Sequence, residues 1–323
     1  MTNEAMKKVA VKASVFSALA ITLMLHRAAT KHIMITDAAG SHIDRGSNEN
    51  AYNILIDRNV AEADSGKLII PLSKTVSSDD IILEDNYIDQ ELRIYIDSRE
   101  EGFYLDNAVL SDLSILQSAV CYEQNDTGSV CLDFRLNGFY ANTSTLTEKS
   151  TIEVTFAKPS EMYDNIVVVD PAGNSQEVFD VALLLKDISS KDEDNNIKFY
   201  YTRLDGSADE QKSLSIVNGA DPDLVVGIDI CPDGMKTYYN SLFFLRKFNN
   251  ADFADILLRD CAGKTGDKAE GVYEASEDDM VLMNSTVPSA RISVDILDKD
   301  DNYKRKLSEG IYQAILDGFK EME

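Results

Sequence analysis

Residues 166–177 read IVVVDPAGNSQE, an unbroken apolar run followed by Asp170-Pro171 and a turn carrying Gly173 and Asn174. Open α/β sheets keep their ligands at the carboxyl ends of strands, so this is where chemistry would be sought. Such chemistry needs a nucleophile beside a base, or a set of metal ligands. The turn Ala172-Gly173-Asn174-Ser175 offers neither. Histidine narrows the choice further. The chain has 3, His26, His32 and His42, and none follows. Ser-His-Asp and Cys-His catalysis, and zinc held by imidazole, are excluded from the globular part unless the extreme N-terminus folds back.

Carboxylates are what remain. Asp170, Asp229 and Asp295 each close an expected strand and could converge. Three hard oxygen ligands would suit Mg²⁺ or Ca²⁺ better than Zn²⁺. Equally, the three could cap helices or face solvent. The acidic stretch SSKDEDNN has no EF-hand spacing and reads as a solvated loop. Of the four cysteines, Cys121, Cys131, Cys231 and Cys261, no two form a CxxC pair, which removes a zinc ribbon or thioredoxin motif. Cys121 and Cys131 flank the turn-rich Asn125-Asp126-Thr127-Gly128, and a hairpin there allows either a disulfide or two half-buried thiols.

The elements that must position these groups fall into four segments. The 323 residues suit about two domains, and 44% apolar content allows a substantial core. With 56 acidic against 31 basic residues the net charge is −25, a field that repels phosphate backbones, so nucleic acid is excluded as a partner. Lys7, Lys8 and Lys12 surround the start of ASVFSALAITLML, with no small-x-small cleavage site after it. Residues 1–33 are therefore expected to be a short cytoplasmic tail and an uncleaved single-pass anchor, with a cleaved signal peptide as the other reading. The bulk of the chain would then be extracytoplasmic, attached to the cell membrane.

Residues 34–65 are mixed and polar and read as a linker. Residues 66–160 carry short β-branched and aromatic runs (KLIIPLS, DIILED, ELRIYID, SILQSAVCY, VCLDFRL, TIEVTFA), which predict a small β-rich domain. Residues 161–323 alternate apolar strands with helical stretches, predicting an α/β fold. Its sheet should be doubly wound and mostly parallel, with helices on both faces. A helix start is expected at Asn249 or Asn250, before ADFADILLRDCA.

The order of words in this last segment resembles the zinc-dependent N-acetylmuramoyl-L-alanine amidases of bacterial cell walls. IVVVDPAG is similar to that family's first strand and its Asp-Pro-Gly-His-Gly-Gly loop, and IKFYYTR to the strand ending in Thr-Arg. IVNGADPDLVVGIDI is similar to the Ala-Asn, Ala-Asp and Ser-Ile-His segment, VPSARISVDI to the Pro-x-x-Leu-Val-Glu strand, and LSEGIYQAI to the closing helix. The resemblance implies an amidase-like fold over about Ile166 to Phe319. It also implies a zinc ion held by two His and one Glu, with a second Glu as general base. Carried over position by position, the first His falls on Gly173 and the ligand Glu on Gln176 or Glu177. The second His falls on Asp229, and the catalytic Glu is placed on Asp295.

The zinc histidines are thus missing, and a degenerate family member is implied, with no cofactor of its own. The expected function is non-catalytic: an envelope pseudoenzyme that binds peptidoglycan or an envelope protein. The alternative is an active cell-wall hydrolase that uses a non-standard carboxylate metal site.

Overall fold

Period-two alternation builds the first half of the molecule. In ELRIYI, Leu92, Ile94 and Ile96 are fully buried while Arg93 and Tyr95 take the other face. The computed structural model describes residues 34–37, 51–59, 66–73, 76–97, 102–123, 128–147, 150–192, 196–206, 209–242 and 247–323. The expected anchor in residues 1–33 lies outside the described residues. Among the described residues no helix is long and apolar enough to cross a membrane.

Eleven strands come first: β1 (Met34–Asp37), β2 (Ala51–Asn53), β3 (Ile56–Asp57), β4 (Leu68–Pro71), β5 (Ile81–Asn86), β6 (Glu91–Ile96), β7 (Val109–Leu110), β8 (Leu116–Glu123), β9 (Val130–Leu136), β10 (Ala141–Leu146) and β11 (Thr151–Ala157). They form two sheets, ordered β1-β5-β6-β9-β8-β2 and β10-β11-β4-β7-β3. Both sheets contribute to one apolar cluster that includes Leu68, Ile94, Phe134 and Val154. All six runs read as strands are strands. Residues 34–65, read as a linker, instead supply β1, β2 and β3, which pair with β5, β8 and β7. These strands are short and polar, lying at or near sheet edges, so they carry little of the apolar alternation that marks a strand in sequence.

The ladder between β8 and β9 also decides the cysteines. Cys121 lies opposite Leu132 and Cys131 opposite Tyr122. Neighbouring positions in a strand point to opposite faces, so this one-residue offset puts the two thiols on different sides of the sheet. No disulfide can join them, and both are free. Burial raises both thiols, Cys121 to about 11 and Cys131 to about 12.

The second half begins with β12 (Asn165–Pro171), α1 (Gln176–Lys191), β13 (Ile197–Tyr201), α2 (Glu210–Ala220) and β14 (Leu224–Ile230). It continues with β15 (Met235–Tyr239), α3 (Asn250–Thr265), β16 (Ala269–Glu274), α4 (Met280–Asn284), β17 (Ser289–Val294) and α5 (Asp301–Met322). The sheet order is β13-β12-β14-β17-β15-β16. Strands β13, β12, β14 and β17 run parallel; β15 is antiparallel to β17, and β16 is parallel to β15. The sheet is therefore mixed, with its parallel strands gathered on one side.

Helices cover both faces. A Cβ on Gly318 of α5 would touch Leu224, whereas Gly227, on the opposite face of β14, lies beneath Arg291. Each long helix starts on a side-chain cap. Ser175 accepts from the Glu177 amide, and Asp300 from that of Tyr303. Asn249 is the cap of α3, in a reciprocal pair with Asp252. The α3–α5 crossing is close enough to require glycine at position 310, where a Cβ would come within 2.7 Å of the Cys261 Cα.

The two halves meet through aromatic side chains. Tyr87 and Phe139 from the β half pack on Tyr200 of β13, each with a ring-centroid distance of 4.9 Å. The Tyr201 amide donates to the Tyr87 hydroxyl at 2.8 Å.

Candidate functional site

Chain order sends β13 to one side of β12 and β14 to the other. This makes the carboxyl end of β12 the point where the sheet's winding reverses, and such points open a crevice. Three ladder positions line up there: Asp170 on β12, Gly227 on β14 and Arg291 on β17. Gly227 is the middle member because nothing larger fits. A Cβ there would stand 2.8 Å from Arg291 Cγ. The arginine crosses over the glycine and donates from Nη2 to Asp170 Oδ2 at 3.3 Å and to Asp279 Oδ1 at 2.9 Å.

Both carboxylates of this row are engaged, while Arg291 Nε is buried without a hydrogen-bond partner among the described residues. Asp170 is buried, and its second oxygen accepts from the Thr202 hydroxyl at 2.7 Å. Asp279 also caps α4, accepting from the Leu282 amide at 3.0 Å. Burial pushes its carboxyl above the usual range, against the pull of Arg291. Beside the row, Arg203 holds the turn after β12. It donates to the Pro171 carbonyl at 3.0 and 2.8 Å, to the Gly173 carbonyl and to Asn174 Oδ1 at 3.3 Å. Gly173 sits at φ +70°, a conformation open to glycine at no steric cost. A cavity of about 250 Å³ opens between this turn, the first turn of α2 and residues 278–281.

The residues singled out from sequence are only partly brought together. Gly173 and Asp229 do face each other, since a Cβ on Gly173 would lie 3.9 Å from Asp229 Oδ1. Asp229 is half-buried and accepts from the amide of Ile230 at 2.8 Å. Gln176 is exposed at the start of α1 and donates to Asp180 at 3.0 Å. Glu177 receives the Ser175 hydroxyl, and this bond, with an amide bond at the helix start, holds its carboxyl below the usual range. Asp295 lies just past β17, where its amide donates to the Gly234 carbonyl at 3.4 Å.

Ser293, two residues before Asp295, is buried and directly opposite Asp229 in the β14–β17 ladder.

These residues do not fit a zinc ion. Gly173 has no donor, and the Asp170 carboxylate already carries a guanidinium. Among the described residues no three His, Cys, Asp or Glu side chains are grouped as metal ligands, so Asp170, Asp229 and Asp295 do not form a carboxylate site. Sequence reasoning missed Arg291, Asp279 and the clamping role of Arg203. The signal was present in ARISV, because a charge inside a buried strand is rarely left unpaired.

No protein-family model matches the chain, and no curated protein is similar to it. Solved structures do align with about half of it. Its structural neighbours are N-acetylmuramoyl-L-alanine amidases. The enzyme from Clostridium difficile 630 is 17% identical over 48% of this chain and 97% of that one, with a TM-score of 0.42. The catalytic domain of CwlV from Bacillus (Paenibacillus) polymyxa var. colistinus is 16% identical over 49% and 99%, with a TM-score of 0.41. AmiC2 of Nostoc punctiforme is 16% identical over 48% and 97%, also at 0.41.

Proposed function

We propose that this chain is an amidase-like envelope protein that binds peptidoglycan, or a protein partner in the envelope, without zinc-dependent hydrolysis. The observation that carries this reading is the pairing of Gly173 with Asp229. The two positions where the resemblance calls for imidazole ligands face each other, a Cβ on Gly173 lying 3.9 Å from Asp229 Oδ1, and one of them has no side chain. The neighbouring charges support it. Arg291 lies across the row and pairs with both Asp170 and Asp279 from within, so the crevice has a resident cation that belongs to the protein. Arg203, meanwhile, keeps the old catalytic turn in shape by its carbonyls.

The apolar run at residues 13–25 supports a location at the cell membrane with the rest of the chain outside the cytoplasm. A reporter fused after Glu323 is expected to be extracytoplasmic, and the full chain should fractionate with membranes. Release of a shorter soluble form would replace the anchor with a cleaved signal.

The test of function uses the full chain in detergent, because a truncation beginning at residue 66 would remove β1, β2 and β3. After dialysis against zinc, metal is measured by mass spectrometry, and the protein is incubated with muropeptides and with purified sacculi. Substoichiometric zinc, no free stem peptide and co-sedimentation with sacculi are expected. Stoichiometric zinc with stem-peptide release, abolished by Asp229→Ala, would overturn the reading in favour of a hydrolase. Failure to sediment under the same conditions would remove peptidoglycan as the ligand.

A further inference from the structure

The junction between the halves encloses a second cavity, of about 480 Å³, within the range of ligand pockets. One wall is the β5–β6 turn, including Ile88, Asp89 and Gln90, with Arg135 near the end of β9. The other is the outer side of α2, where Lys212, Ser215 and Ile216 face the space. The walls are held apart by a fixed contact at one end. A Cβ on Gly219 would come within 2.6 Å of the Phe139 Cβ, so the 138–139 turn is seated tightly on α2 there, while Lys212 and Ser215 further along the helix stay exposed.

Charge distinguishes this groove from the other cavities. The crevice is lined by five carboxylates against two arginines. The cavity of about 460 Å³ beside the end of α5 presents Asp192 and Glu323 and no cation. The junction groove presents Arg135 and Lys212 against Asp89 alone. Lys212 pairs with Asp89 at 2.8 Å. Arg135 is exposed, and Glu91, opposite it in the ladder, is taken by Arg93 at 2.7 Å. Among the described residues no ion pair engages Arg135. On a chain of net charge −25, a cavity with cations on both walls is a local reversal of the field.

We infer that this groove binds a short acidic peptide, with a carboxylate held between Arg135 and Lys212 and an apolar side chain against the partly buried Ile88. A peptide fits better than a glycan because the aromatic rings are not free for stacking. Tyr87 is only 3% exposed, and Phe139 packs edge-on against Tyr200 and tilted against Tyr87. Ser215 and Gln90 supply neutral hydrogen-bonding groups of the kind a peptide backbone uses. The groove is separate from the crevice and does not depend on how the crevice is read.

The experiment measures fluorescence anisotropy of labelled Ala-Glu-Leu-Glu-Ala with the detergent-solubilised full chain. The Gln-for-Glu peptide and chitohexaose serve as competitors. Saturable binding that weakens with salt is expected, competed by unlabelled acidic peptide and by neither of the other two. Arg135→Glu should weaken it by about tenfold or more, as charge reversal at a binding cation does. Ser215→Trp, at an exposed helix position where folding is little affected, should block the groove. Absence of binding at millimolar peptide, equal affinity in both variants, or competition by chitohexaose or the Gln peptide would each overturn the proposal.

Discussion

Two arginines sit in strand interiors of this protein, and their surroundings differ. Arg291 on β17 reaches over Gly227 to one carboxylate and sideways to another, both within 3.3 Å, and the far oxygen of Asp170 is satisfied by Thr202. Arg93 on β6 lies in register between Glu84 and Asp133. Its Nη2 donates to Glu91 at 2.7 Å, but Nε is 4.0 Å from Asp133, and Nε and Nη1 are buried without hydrogen-bond partners among the described residues. Ladder proximity alone does not make an ion-pair network. Arg291 also leaves Nε buried without a partner among the described residues, but along the path that Gly227 opens its Nη2 reaches two carboxylates, whereas Arg93 bonds one. The difference is one of degree: a buried charge contributes to specificity as its hydrogen bonds are completed, and otherwise mainly costs desolvation.

That contrast is open to mutation. The largest effect is expected for Arg291→Met, which leaves Asp170 buried with Thr202 as its remaining side-chain donor. Removing one partner of a buried pair typically costs about 3–5 kcal/mol. Urea denaturation followed by tyrosine fluorescence should show it, and adding Asp170→Asn should recover much of the loss. A loss below about 1 kcal/mol would mean that the row does not stabilise the fold.

Next in size is Gly227→Ala. The new methyl would meet Arg291 Cγ and Nε at 2.8 and 2.9 Å, and overpacking of this kind costs about 1–3 kcal/mol. In an Arg291→Ala background only the Cβ contact at 3.0 Å remains, so the same substitution should cost clearly less. Equal cost in both backgrounds would show that the glycine serves the strand rather than the arginine.

The Arg93 row should respond in the opposite sense. Replacing Arg93 with Met together with Glu91→Gln and Asp133→Asn removes an incompletely bonded ion cluster with both its carboxylates, and such replacements are often neutral or stabilising. A loss as large as that of Arg291→Met would erase the distinction between the two rows.

How much of this was legible depends on what each residue had to declare. The apolar strands IVVVD and LVVGIDI, and the helix start at Asn249 or Asn250, are local signals, and local physics placed them correctly. The strand AEGVYE is exposed at a sheet edge with two glutamates, so its pairing with β15 left no apolar trace. Strands β1 to β3 were hidden because, at 4, 3 and 2 residues, they are too short to show an alternation. The partners of Arg291 could not be read, because Asp170 and Asp279 come from distant segments that only the sheet order brings together. The cysteine pairing turned on a single residue of register, which sequence spacing around a turn does not fix.

The smallest expected effect is at Asp279, and it tests whether charge or geometry matters at the crevice rim. Its carboxyl is raised by burial, even though Arg291 is 2.9 Å away. A carboxyl raised in the folded state contributes stability that is fully present below its unfolded pKa and is lost as pH rises through the folded value. Asp279→Asn removes that loss while leaving an oxygen able to accept from the Leu282 amide and from Arg291. Near neutral pH the change should therefore be on the order of 1 kcal/mol or less. Its sign should move in favour of the variant as pH rises from about 4, the ordinary carboxylate range, toward 7. Thermal melts of both proteins across that interval provide the check. If the parent instead gained on the variant with rising pH, the negative charge of Asp279 would be a net stabiliser. The Arg291 row would then depend on two full carboxylates, and the resident cation would be over-matched by its partners rather than balanced among them.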